Sequence, residues 1–148
     1  MPMKRNKILK AILRFLAQLA ASIVLFLAVN IFMEGVPLIG IPAEDNVVEV
    51  TASYPALTDE TKTFRDPEKL ELAVNLAYYL RYRPFAQPDL SEPPLITLSY
   101  HTLDGDTVTV EANRTTVWWH GKAHAVKHPG SFIKLTEGVL FWAEVAPT

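Results

Sequence analysis

Three histidines carry the spacing most suggestive of chemistry. His120, His124 and His128 stand at i, i+4 and i+8. On one continuous helix they would share a face and could ligate zinc. Their surroundings oppose a helix. Thr115, Thr116, Val117, Trp118 and Trp119 precede them as a β-prone run, and Gly121 interrupts. No His-Glu-x-x-His motif is present, and no acid lies between the histidines. They therefore read as turn and strand residues, with a zinc-binding envelope protein as the alternative. His101 alone supports nothing.

Other constellations reduce to structure. Asp104 and Asp106 flank Gly105 without an EF-hand ligand series, so turn chemistry explains them. Glu49 and Glu111 occupy polar alternation positions, and nothing pairs them as glycosidase acids. Ser53 and Ser99 lack a nucleophile-elbow setting. The expectation is a non-enzyme without a cofactor. Asn113-Arg114-Thr115 fits the N-glycosylation acceptor pattern.

Aromatic residues give the candidate contact surface. Trp118 and Trp119 are adjacent, so on a strand they face opposite ways. One can enter the core while the other stacks on a sugar or a peptide. Tyr79, Tyr82, Arg81 and Arg83 cluster where a helix should end, a second candidate for protein contact.

The elements that must position these residues begin with Phe15–Met33. This run of 19 residues has no charge and follows Lys4, Arg5, Lys7, Lys10 and Arg14. About 20 apolar helical residues span a bilayer core. A transmembrane helix is expected over residues 15–33, with an earlier start near residues 8–12 as the variant, and 1–14 as a basic cytoplasmic tail. The run exceeds the h-region of a secretory signal. The best small-residue site, Ile41-Pro42-Ala43, places Ile at −3 and Pro at −2. The sequence therefore favours an uncleaved anchor. Cations precede the span, which puts the N-terminus in the cytoplasm and the remainder outside.

Composition supports the division. The 148 residues include no Cys, which excludes disulfides and thiolate chemistry. Residues 1–33 carry a charge of +5 and residues 34–148 a charge of −7. An acidic domain without a basic stripe argues against nucleic acid. After a Gly- and Pro-rich juxtamembrane linker at 34–46, residues 47–148 suffice for one small domain.

Alternation in Val47–Tyr54 predicts a half-buried strand. Asp66-Pro67 opens a helix whose Leu70, Ala73, Val74, Leu76, Ala77 and Leu80 share an arc of about 160°. It is expected to end at Pro84, with Arg81 and Arg83 beside its last turn. Strands follow at 95–100 and 107–112, joined by a type I′ turn at Asp104-Gly105. Two more, at 115–119 and 123–127, join at His120-Gly121. A closing helix covers 129–142, with a break expected at Gly138. The order β-α-β-β-β-β-α implies an α+β fold, an antiparallel sheet with helices on one face.

The segments VVEVTASY, DPEKLELAVNLAYYL, ITLSYHTLDGDTVTVEA, TTVWWHGKAHAVK and FIKLTEGVLF together resemble a group of small extracytoplasmic domains of Gram-positive bacteria. Those domains stand behind lipoprotein signals or single membrane anchors. They share a Lys-Asp-Gly-type hairpin and a later strand-Asn-Gly-Lys-strand unit. The likeness covers residues 47–141. Here His120-Gly121-Lys122 replaces Asn-Gly-Lys, and Ala123-His124 replaces an aromatic strand. The resemblance implies location and fold, and it transfers no catalytic residue. Two roles fit: a tethered domain that binds an envelope protein or cell-wall partner, or an accessory subunit. In the second, Ala17, Ala20, Ala21 and Ala28 would pack the anchor against other helices.

Overall fold

The computed structural model describes residues 2–145. The described chain divides after Glu34 into two compact units. The first is one helix, α1 (Pro2–Glu34), which is 33 residues long. It is long and apolar enough to cross a membrane or act as a signal anchor, and none of its most apolar window is buried. Helix starts well before Phe15 because Lys, Arg, Leu and Ala are good helix formers, so the basic stretch continues the same helix.

The second unit is α+β, built on an eight-stranded antiparallel sheet. Its strands are β1 (Val36–Pro37), β2 (Val47–Ser53), β3 (Lys62–Phe64), β4 (Arg81–Arg83), β5 (Ile96–Thr102), β6 (Thr107–Ala112), β7 (Thr116–Trp119) and β8 (Lys122–Val126). Helix α2 (Pro67–Tyr79) lies between β3 and β4, and α3 (Ser131–Leu140) and α4 (Trp142–Val145) follow β8. The spatial order is β1-β4-β8-β7-β6-β5-β2-β3.

Alternation builds the central strands. Ile96, Leu98, Tyr100 and Thr102 of β5 are buried, while Thr97, Ser99 and His101 are half-buried on the opposite face. Val50 and Ala52 of β2 and Val110 and Ala112 of β6 continue the buried face. Helix α2 adds Leu70, Ala73, Val74, Leu76 and Ala77 to the same core. The Tyr100 hydroxyl, enclosed with them, donates to the Ala73 carbonyl at 2.6 Å. Burial raises its pKa above the ordinary tyrosine range. From α3 come Phe132, Ile133 and Leu140, and just past its end Phe141 meets the Tyr54 ring edge-on at 5.6 Å.

Four sequence expectations change. The segment 34–46 is not a free linker: Val36 and Pro37 pair with Tyr82 and Arg81, and Leu38 and Ile41 are buried in the core. Helix α2 stops at Tyr79, because Leu80 turns extended and Arg81–Arg83 becomes β4 against β8. Pro84 disfavours helical backbone at residue 83, and the sheet supplies partners that a helix end would leave orphaned. The type I′ turn expected at Asp104-Gly105 is not found there. At 103–105 only Gly105 takes positive φ, and its amide bonds the Thr102 carbonyl, giving a type I turn with a glycine bulge. At the Trp119↔Lys122 pair both His120 (φ 49°) and Gly121 (φ 76°) are left-handed, as a type I′ turn requires. Finally, α3 runs through Gly138 and ends at Phe141. Asp66 does occupy the N-cap of α2 ahead of Pro67, although its side chain makes no cap hydrogen bond. The simple β-α-β-β-β-β-α order thus gains three short strands, β1, β3 and β4, each too short for a readable period.

Candidate functional site

The β7–β8 hairpin positions both tryptophans. Trp119 faces the core and is only 5 % exposed. Its indole N–H donates to the Ile39 carbonyl at 3.0 Å, satisfying the one polar group it buries. His120 folds back over it, ring centroids 4.1 Å apart, and its Nε2 lies 3.3 Å from the same carbonyl. A carbonyl only accepts, so this contact selects the tautomer with the proton on Nε2. Gly40 lies beside this contact with φ +99°, a left-handed backbone that favours glycine, and a Cβ there would make only an ordinary contact with His120 Nε2 at 3.4 Å.

Trp118 lies on the opposite face and is half-buried. It pairs across the sheet with Glu111. Together with Thr107, Val108, Thr109, Trp119, His120 and Gly121 these two residues line an open groove of about 400 Å³. Glu111 forms no ion pair among the described residues. The groove thus presents an indole face and one carboxylate beside two threonine hydroxyls, which already meet Ser99 and His101 of β5.

The helix-end cluster does not form one surface. Tyr79 is exposed on α2, whereas Tyr82 is half-buried on β4 and stacks on His124 with centroids 4.0 Å apart. The Arg81 guanidinium donates to the Gly35 carbonyl, and Arg83 is exposed at the end of β4. Burial, then the neighbouring Lys122 charge, pushes the His124 pKa below its usual value. The histidines occupy three separate settings: His120 in the turn, His124 under Tyr82, His128 exposed past β8. Among the described residues no group of three or more His, Asp or Glu is arranged to hold a metal ion.

Asn113 is also committed to the fold. It is 2 % exposed, its amide N–H groups donate to the Glu92 and Pro93 carbonyls, and its Oδ1 accepts from the Thr115 and Thr116 amides. A glycan on that nitrogen would replace one of its two hydrogens and so remove one of the first two bonds. Sequence reasoning missed Thr107 and Thr109 as groove residues and set Glu111 aside as a polar alternation position. Their alternation signalled an outward face, but the groove exists only because β6 outruns β7. Comparison with family models, with curated proteins and with solved structures finds no match to this chain.

Proposed function

We propose that this is a single-pass membrane protein whose N-terminus is cytoplasmic and whose α+β domain is held outside the cytoplasm. There the domain recognises an envelope protein or cell-wall partner without covalent chemistry. One observation carries the reading: the apolar side chains of α1 are exposed along its length, while the second unit closes a core of its own. Exposed residues such as Phe15, Phe26 and Phe32 call for lipid. The basic stretch from Lys4 to Arg14 supports the orientation. The Trp118 groove is the recognition surface, and the pattern likeness to anchored extracytoplasmic domains is in keeping with the location.

Because the chain lacks cysteine, one introduced thiol is a unique reporter. Asp104→Cys, at an exposed turn, should react with a membrane-impermeant maleimide in intact cells, and Lys4→Cys only after permeabilisation. The opposite pattern, or a labelled domain released without α1, sinks the proposal.

A further inference from the structure

Strand β6 is paired on both sides for only part of its length. Toward β5 its ladder runs from Thr107 to Ala112. Toward β7 it pairs only at Glu111 and Ala112, because β7 turns away at His120-Gly121. In an antiparallel ladder, successive residues direct their backbone groups to alternate sides. The Thr102 amide bonds the Asp106 carbonyl at the hairpin end, which fixes the phase. Val108 and Val110 therefore bond β5, while Thr107, Thr109 and Glu111 point their N–H and C=O groups the other way. Glu111 meets Trp118; Thr107 and Thr109 meet no backbone partner among the described residues. Two donors and two acceptors, repeating every second residue at about 6.8 Å, thus border the groove. An unpaired edge of this kind is a template for one more strand.

We propose that an extended peptide carrying a lysine or arginine adds to the sheet in this slot. It pairs with the Thr107 and Thr109 backbone in line with β7, and its cation lies against Glu111. This rests on the recognition reading and names its partner class. The spacing of backbone groups demands a strand. The unpaired Glu111 carboxylate sets the charge, and Trp118, on the same face, covers an alternate side chain of the guest. A sugar hydroxyl can meet a single backbone group, but an extended chain alone repeats donor and acceptor at the spacing of Thr107 and Thr109, about 6.8 Å. A second copy of this chain presents Glu111 again, not a cation.

The test uses the full chain in detergent micelles and a synthetic peptide of alternating valine and threonine with one central lysine. Binding should protect the Thr107 and Thr109 amides from hydrogen exchange. N-methylating alternate peptide nitrogens should weaken it about tenfold, as should Thr109→Pro. The Thr109 N–H is not a β5 ladder bond, so circular dichroism should show that variant folded. Glu111→Lys should reverse the preference to the glutamate counterpart of the peptide. Equal affinity for the methylated peptide overturns the proposal with no variant involved. So do an unchanged preference in Glu111→Lys, no binding, and concentration-dependent dimers that protect the same amides without peptide. Micelle binding is indifferent to sidedness, and maleimide labelling is indifferent to the peptide, so this inference and the membrane reading fail separately.

Discussion

Helices α1 and α2 are both rich in Leu, Ala and Val, yet they dispose of those side chains in opposite ways. In α2 the apolar residues keep to one arc, and Leu70, Ala73, Val74, Leu76 and Ala77 are buried in the domain core. In α1 they occupy the whole circumference, and Leu25, Phe26 and Phe32 are each more than 60 % exposed. A one-sided stripe is completed by protein of the same domain; an all-round apolar surface is not, and α1 is long and apolar enough to cross a membrane or act as a signal anchor. The contrast shows that hydrophobic content alone does not assign a helix to a core. Distribution around the axis does.

The contrast breaks first at α1. Ile23→Arg combined with Leu27→Arg places two cations mid-span, each costing about 2.5–3.5 kcal/mol of insertion free energy. The doubly substituted chain should leave the carbonate-resistant membrane fraction while the domain keeps its urea midpoint. Next comes a matched pair. Leu76→Ala, at a side chain 4 % exposed in α2, should cost about 2–5 kcal/mol in urea unfolding of the domain. Leu25→Ala in α1 should leave that transition where it was; a comparable loss would mean that α1 packs as protein core. Smaller again, Tyr100→Phe removes the bond to the Ala73 carbonyl and should lower domain stability by about 1 kcal/mol, read from the same curves.

The smallest effect is a pH slope. Burial holds the folded His124 pKa below the unfolded value of 6.5. As pH falls through 6.5 the unfolded chain takes up a proton first, so stability declines until the folded pKa is passed and then levels. His124→Gln should flatten that decline in urea midpoints measured from about pH 8 to about pH 5. Membrane partitioning of α1 should not follow it.

Much of the fold was legible because it rests on local period. The alternation of Ile96–Tyr100 and of Thr107–Ala112 and the Asp66-Pro67 start of α2 depend on neighbours in sequence. What escaped depends on pairing across the chain. Arg81–Arg83 is too short to declare itself a strand and becomes one because β8 is beside it. Leu38 and Ile41 looked like linker residues because Gly35, Pro37, Gly40 and Pro42 surround them. Core burial overrides that local signal. The type of the first hairpin turn was misjudged because Asp-Gly is the usual type I′ pair, whereas loop length decides: three residues at 103–105, two at the tight turn expected at 120–121. For the site, opposite orientation of Trp118 and Trp119 was readable from adjacency. The groove beside Trp118 was not, since it is the difference in length between two paired strands.

Strand β1 carries one more consequence, a mechanical one. It follows α1 after a single residue, Gly35, and joins the sheet at its margin through two paired positions, Val36 with Tyr82 and Pro37 with Arg81. If α1 is held in a membrane, as proposed above, tension along the chain enters the domain there. The Arg81 carbonyl accepts from the Lys127 amide beside β8, so at the Pro37–Arg81 pair the backbone groups face away from each other. Proline there gives up no ladder bond, and the pairing rests on Val36 with Tyr82 alone, which offers little resistance to peeling. The buried side chain of Leu38 comes immediately after it and resists next. Under load the domain would lengthen by a few residues before any of its central strands is strained, a short mechanical fuse between tether and core.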